Sequence, residues 1–143
     1  MDIERANRYK DKLNLISERL VDIEEWVSGY DTSDFVSDKK TRLAVYKAFQ
    51  EVIEASFDIA AMICRDSKNI PKDDYTNIDI LYDAKVIDNS LKNALSESNG
   101  LRNRLVHRYN SLDDSIAFES IHAHLPGFKY FLEVINRWLK SQL

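Results

Sequence analysis

Apolar residues recur at alternating steps of three and four along the start of the chain, which is the spacing of one face of an α-helix. This pattern predicts a first helix over about residues 2–27. Its apolar positions are Leu13, Ile16, Leu20, Ile23 and Val27. The polar segment 28–34 contains a glycine and should end this helix, and Ser37 or Asp38 can cap the next one.

A second helix is predicted over about residues 39–65, where the same spacing returns. Its apolar face is formed by Val45, Phe49, Val52, Ile53, Ala60 and Ile63. Three acidic residues, Glu51, Glu54 and Asp58, lie near its middle. Acidic residues in such a position usually form a solvated helix face, and this is the first interpretation of them here.

The next part of the chain is broken into shorter pieces. A loop over about residues 66–76 precedes a short predicted helix over 77–85. Another helix should begin near Asp88 or Asn89 and run toward Gly100. Glycine can stop a helix or permit a kink, so the sequence leaves open whether the residues after Gly100 continue this helix.

A last helix should follow a turn at residues 110–114 and extend to about residue 139, with a kink at Pro126. Its apolar face contains Ile121, Leu125, Phe128, Leu132, Ile135 and Leu139. Two long helices, a short pair and a final long helix predict an all-α fold. The expected architecture is an up-and-down bundle of four or five helices joined by short loops.

Composition agrees with this fold. The chain has 143 residues, enough for one domain over residues 1–143 to bury a core without disulfides. Hydrophobic residues make up 44% and charged residues 31%, with only three glycines and two prolines. Such a composition favours long helices over a turn-rich sheet.

Several classes of protein are disfavoured. The single cysteine, Cys64, cannot form an internal disulfide and is expected to be a buried core thiol. The N-terminus does not resemble a secretory leader, and no run of about 18 apolar residues is present to span a membrane. We therefore expect a soluble protein of the reducing cytoplasm.

The most informative polar segment is 102–109, Arg-Asn-Arg-Leu-Val-His-Arg-Tyr, in a chain whose formal net charge is −4. Arg102 supplies a permanent forked cation, and His107 is a group that titrates near neutral pH. A basic run of this kind can simply end a helix favourably, with a half-buried histidine. The alternative is a local site that handles phosphates, because the overall charge repels nucleic acid and any contact must be local.

Metal and cofactor sites receive little support. His122 and His124 are two residues apart on a predicted helix, whereas paired helical ligands usually stand three or four apart. The chain has neither a glycine-rich phosphate loop nor paired cysteines. We expect no metal and no cofactor, and we expect Trp26 and Trp138 to lie in the core or an interface.

The segment 102–109 resembles the motif of the HEPN superfamily, which is an arginine, a polar residue, a short spacer, a histidine, any residue and a tyrosine. With four residues between Arg102 and His107, the chain resembles the HepT branch. Residues 100–103 and 43–51 also resemble that branch, so the resemblance covers most of the chain. It implies the same helical bundle independently.

The resemblance implies a toxin that cleaves RNA without a metal. In that family two copies place their motifs across a shared cleft, so a homodimer with a composite site is expected. His107 is the candidate acid and base, and Arg102 the donor to phosphate oxygens. Asn103 would position phosphate or hold Arg102, while Arg104 and Arg108 would add electrostatic attraction.

The resemblance further implies a protein partner, an MNT-type nucleotidyltransferase that acts as the antitoxin. In HepT-like proteins the motif tyrosine, here Tyr109, accepts AMP groups from that partner. Each AMP would bring a bulky anion next to Arg102 and His107 and inactivate the site.

Two questions stay open at this point. The chain is either such a nuclease or a non-catalytic helical subunit that docks a nucleotidyltransferase and holds nucleotide or RNA. One of the acids Glu51, Glu54 and Asp58 is either part of a solvated face or orients Arg102 across the core.

Overall fold

The computed structural model describes residues 1–107 and 112–143, apart from the side chain of His107. Within these residues the chain forms six helices, so the prediction of an all-α fold is confirmed. They are α1 (Ile3–Trp26), α2 (Thr32–Ser37), α3 (Lys39–Asp66), α4 (Asp74–Asp83), α5 (Asn89–His107) and α6 (Asp114–Ser141). The short α2 is additional to the four or five helices predicted.

Each of these helices is preceded by an aspartate whose side chain accepts a hydrogen bond from a backbone N–H of the first turn. Such capping satisfies donors that have no partner inside the helix. The capping residues are Asp2, Asp31, Asp38, Asp73, Asp88 and Asp113. Part of the acidic character of the chain is therefore used to start its helices.

Helix α3 has more buried residues than any other described helix, and it packs against α1, α2, α4 and α5. The last helix, α6, packs against α1, α2 and α5 and closes the bundle. The apolar faces predicted for the second and last helices are confirmed, except that Leu132 is only partly buried. Cys64 lies in this core, as expected, and burial raises the pKa of its thiol.

The structure places the start of α4 earlier than predicted and settles where α5 ends. Helix α4 begins three residues earlier, at Asp74, because Asp73 caps it by accepting a hydrogen bond from the Thr76 amide at 2.8 Å. Helix α5 continues through Gly100 to His107, which settles the question left open there. A Cβ added at Gly100 would meet nothing within 4 Å, so packing does not require a glycine at this position.

Helix α6 includes Pro126 and extends to Ser141, two residues beyond the predicted end. Among the helices described, none combines the length and hydrophobicity needed to cross a lipid bilayer.

Candidate active site

The final turns of α5 carry the first half of the basic segment. Leu101 and Leu105 are buried and hold these turns against the core. Between them, Arg102 is partly exposed, while Asn103 and Arg104 are exposed. This end of α5 therefore presents polar and basic groups at the surface while its leucines anchor it.

The second half of the segment is only partly described. His107 is the last residue of α5, about 7.5 Å along the helix axis from Arg102. The side chain of His107 and the whole of Arg108 and Tyr109 lie outside the described residues. The roles predicted for these three residues stay predictions.

Arg102 is held by two side chains. Its Nη2 donates a hydrogen bond to Oε1 of Glu54 on α3, at 3.0 Å, and its Nη1 donates to Oδ1 of Asn103, at 3.2 Å. Asn103 therefore contacts Arg102, and its predicted role, to position phosphate or to hold Arg102, stays a prediction. The Arg102 side chain is 28% exposed, so the guanidinium lies at the protein surface and not in the core.

Glu54 is itself held in place. Gln50, one turn earlier on α3, donates from its Nε2 to the same Oε1 of Glu54, at 3.0 Å. Tyr46 lies one further turn earlier, and the spacing of four residues puts Tyr46, Gln50 and Glu54 along one side of α3. We call these three residues the polar stripe of α3.

The polar stripe also contacts the start of α6. The hydroxyl of Tyr46 donates to Oδ1 of Asp114, and Arg42 Nε lies 3.3 Å from the other carboxylate oxygen of Asp114. Asp114 is the first residue of α6. The chain is therefore tied to α3 both where the basic segment begins, at Arg102, and where α6 begins.

Electrostatics keep Glu54 ionised. Burial alone would raise its pKa, but hydrogen bonds from Gln50 and Arg102 and the charge of Arg102 together outweigh burial and lower the pKa. Asp74, at the start of α4, lines a cavity of about 110 Å³ together with Glu54 and Arg102. Burial raises the pKa of Asp74, and the Arg102 charge opposes this rise.

The three central acids of α3 now separate into different roles. Glu51 binds Arg19 of α1, with Oε2 2.9 Å from Nε, and Asp58 binds Lys12 of α1 at 3.0 Å. Only Glu54 among the three contacts Arg102. Glu54 is therefore the acid that contacts Arg102, and the other two form ion pairs with α1; that Glu54 orients Arg102 stays a prediction.

The remaining candidates are bound in local structure. Nδ1 of His122 lies 3.2 Å from the carbonyl oxygen of Phe118, and Nδ1 of His124 lies 2.7 Å from that of Ser120. The Trp138 ring packs edge-on against the Tyr9 ring, with centroids 5.4 Å apart. Trp26, at the end of α1, is 40% exposed and so does not lie in the core of the chain.

The sequence reasoning missed Gln50, Tyr46 and Asp114. Their signal was available in part, because Tyr46, Gln50 and Glu54 stand at the four-residue spacing that places side chains on one helix side. Nothing in that spacing indicates which of the other helices faces the stripe. The contacts with α5 and α6 follow from tertiary packing.

The helical bundle, and an arginine five residues before a histidine on its fifth helix, agree with the resemblance to the HEPN superfamily. The family model described as Ribonuclease HepT-like matches residues 16–135. The chain belongs to this HepT-like family.

Three similar proteins illustrate the family. The mRNA nuclease HepT of Shewanella oneidensis is 32% identical over 107 residues, which is 74% of this chain and 80% of that protein. The tRNA nuclease HepT of Aphanizomenon flos-aquae is 27% identical over 131 residues, 90% of this chain and 87% of that protein. A solved structure of the tri-AMPylated Shewanella oneidensis HEPN toxin in complex with MNT antitoxin has a TM-score of 0.83 at 29% identity, covering 96% of this chain and 99% of that chain.

Proposed function

We propose that the chain, as one domain over residues 1–143, is a metal-independent endoribonuclease and the toxin of a toxin–antitoxin pair. The observation that carries the proposal is Arg102, held by Glu54 and Asn103 on α5 five residues before His107. Membership of the HepT-like family supports it, as do relatives named for mRNA and tRNA cleavage. Because these names differ in RNA class, the proposed substrate is RNA in general.

Cleavage without a metal needs a base, an acid and positive charge. In the proposed reaction an imidazole removes the proton of a 2′-hydroxyl, and that oxygen attacks the neighbouring phosphorus. The bond to the 5′-oxygen breaks, this oxygen receives a proton, and a 2′,3′-cyclic phosphate remains. His107 carries the protons, because an imidazole titrates near neutral pH. Arg102 donates to the phosphate oxygens as negative charge develops on them.

One histidine cannot act as base and acid on the same phosphate at the same moment. The proposal therefore includes a homodimer in which the partner subunit's His107 supplies the second proton task. Arg104, which is exposed beside Arg102, and Arg108 attract the RNA backbone toward this composite site. A local basic patch is needed because the formal net charge of the chain is −4.

The proposed partner is an MNT-type nucleotidyltransferase antitoxin. It transfers AMP to Tyr109: the tyrosine oxygen attacks the α-phosphorus of ATP, and pyrophosphate leaves. Support comes from the similar HEPN toxin that is tri-AMPylated and bound to MNT antitoxin. An AMP group two residues beyond His107 places an anion beside the basic segment, which blocks RNA and neutralises the site's charge.

Purified protein tests the nuclease directly. We expect the wild type to cleave RNA in EDTA, and Arg102→Ala and His107→Ala each to lower the rate by roughly 100-fold or more, since each removes a transition-state contact. Equal cleavage by all three proteins, or no cleavage by any of them, contradicts the proposal.

A second function is a non-catalytic subunit that docks a nucleotidyltransferase and holds nucleotide or RNA. It is favoured by the ion pair with Glu54, which neutralises part of the Arg102 charge. It predicts no cleavage under any condition. Binding of RNA would then survive His107→Ala and weaken in Arg102→Ala.

Mass spectrometry tests the partner and the modification together. Co-expression with the nucleotidyltransferase should add about 329 Da per AMP unit to the wild-type chain and nothing to Tyr109→Phe. The modified protein should lose RNA cleavage. Increments that persist in Tyr109→Phe, or no increments in the wild type, exclude Tyr109 as the acceptor.

A further inference from the structure

We propose that Glu54 is a positioning residue that fixes the Arg102 guanidinium for its contact with the scissile phosphate. This inference rests on the proposed nuclease function and adds a residue outside the segment 102–109. Of the three acids near the middle of α3, Glu54 has this role, and Glu51 and Asp58 do not.

The contact geometry suits positioning. Glu54 accepts from Arg102 through one oxygen only, and the second terminal nitrogen of Arg102 donates to Asn103. These two bonds use two of the five N–H groups of a guanidinium. The guanidinium is thus oriented at two points while keeping further donors for phosphate oxygens.

The carboxylate can fix Arg102 because it is fixed itself. Gln50 donates to the same oxygen of Glu54 from one helical turn away on α3. Both residues stand on α3, the described helix with the most buried residues, and Val52 and Ile53, which lie between them in sequence, are fully buried. Because these hydrogen bonds already restrict the Glu54 side chain in the folded protein, its conformational entropy is lost during folding. The catalysed reaction therefore does not have to bear that entropy cost.

Glu54 could instead oppose catalysis, by neutralising Arg102 until RNA displaces it. The two interpretations predict opposite signs. If Glu54 positions Arg102, removing its charge slows cleavage, whereas removing an inhibitory charge accelerates it. The single-oxygen contact favours positioning, because a carboxylate that blocks an arginine would be expected to engage both terminal nitrogens.

The chain offers a matched control one turn away. Glu51 forms an ion pair with Arg19 at 2.9 Å, with side chains 29% and 32% exposed, compared with 39% and 28% for Glu54 and Arg102. The variants Glu54→Gln and Glu51→Gln therefore remove similar ion pairs from the same helix. Arg19 also binds Asp22, and neither Glu51 nor Arg19 forms a hydrogen bond or ion pair with residues 102–106 of the basic segment, the part whose side chains are described.

The first measurement does not depend on activity. We expect the order parameter of the Arg102 Nε–H bond, from ¹⁵N relaxation of the full chain, to fall by about 0.2 or more in Glu54→Gln. Glu51→Gln should leave it unchanged. An Arg102 order parameter that is the same in the wild type and Glu54→Gln overturns the proposal.

The second measurement is steady-state RNA cleavage. We expect Glu54→Gln to lower kcat by roughly 10-fold with KM within about twofold, because Arg102 acts on the transition state. Glu51→Gln should match the wild type. Adding Glu54→Gln to Arg102→Lys should cause little further loss, since the effect passes through Arg102.

An unchanged or increased kcat in Glu54→Gln overturns the positioning role, as does an equal loss in Glu51→Gln. A wild type that cleaves no RNA overturns the nuclease instead. In that case the order parameter of Arg102 still decides whether Glu54 holds it.

Discussion

Two clusters with the same three residue types join helices at the two ends of α3. In each, an arginine and a tyrosine four residues apart on one helix bind an aspartate of another helix. The first, which we call the closed-end cluster, is Arg5, Tyr9 and Asp66. The Tyr9 hydroxyl donates to Oδ2 of Asp66, and Arg5 Nε lies 3.0 Å from the same oxygen. Tyr9 is completely buried.

The second, which we call the motif-end cluster, is Arg42, Tyr46 and Asp114. Here too the tyrosine hydroxyl and the arginine Nε both bind the aspartate. Arg42 also donates from Nη1 to the carbonyl oxygen of Val36, whereas the described hydrogen bonds of the Arg5 side chain go only to the carboxylate of Asp66.

The difference between the clusters lies in what they are attached to. The closed-end cluster binds α1 to the last residue of α3, about 18 Å along α3 from Glu54. The motif-end cluster fixes the first residue of α6, so together with the ion pair of Arg102 it ties both sides of the basic segment to α3. A substitution in the closed-end cluster should therefore change only the stability of the protein. The matching substitution in the motif-end cluster should change both stability and RNA cleavage.

The largest expected effect is on stability at the closed end. Asp66→Asn leaves the poorly exposed Arg5 without its counterion and weakens the hydrogen bond of buried Tyr9, so we expect a loss of about 2 kcal/mol in the free energy of unfolding. Asp114→Asn should cost less, because Arg42 keeps the carbonyl of Val36. Urea denaturation measures both, and a larger loss in Asp114→Asn would reverse this ranking.

The next effect separates the clusters by function. Tyr46→Phe removes one hydrogen bond to the start of α6, and we expect RNA cleavage to fall by roughly threefold to 10-fold because one tie beside the basic segment is lost. Tyr9→Phe removes the matching hydrogen bond at the closed end and should leave cleavage unchanged. Rates are compared at a temperature where both variants are folded. Equal rates for the two variants would show that the motif-end cluster is purely structural.

Sequence reasoning predicted most of this fold because the apolar periodicity of α1, α3 and α6 is long and regular. It missed α2, since six residues are too few to show a periodicity, and its start depends on the capping box between Asp31 and Asp34. It also began α4 too late, because Asp73 and Asp74 were assigned to the preceding loop.

Less of the candidate site than of the fold could be predicted from the sequence. The residue types of the segment 102–109 allowed either a favourable helix end or a phosphate site, and the resemblance to the HEPN motif favoured the phosphate site. The sequence could not predict which acid binds Arg102, because Glu51, Glu54 and Asp58 are all acidic residues near the middle of the same helix. The packing of α1 and α5 on α3 determines which basic residue each acid binds. Gln50 gave no signal of its own, since its role is to hold another side chain.

A smaller effect concerns pH. Burial would raise the pKa of Asp66, but the hydrogen bonds from Arg5 and Tyr9 and the Arg5 charge outweigh it and lower the pKa. A lowered folded-state pKa gives stability that is complete above the ordinary value of about 3.9 and is lost as pH falls through the folded-state value. Between about pH 5 and pH 2, unfolding free energies should therefore fall less in Asp66→Asn than in the wild type. Parallel pH profiles would show that Asp66 does not contribute.

The smallest expected effect concerns the rigidity of α5 next to Arg102. Gly100 lies inside α5, and a Cβ added there would meet nothing within 4 Å. Gly100→Ala should therefore raise the free energy of unfolding by about 0.5–1 kcal/mol, through the higher helix propensity of alanine. Since Arg102 is already tied to α3 by Glu54, a stiffer α5 should leave cleavage within about twofold of the wild type. Thermal denaturation and RNA cleavage on the same preparation measure both quantities. A stabilised variant with much slower cleavage would show that α5 must flex at Gly100, and that the ties to α3 alone do not define the active geometry.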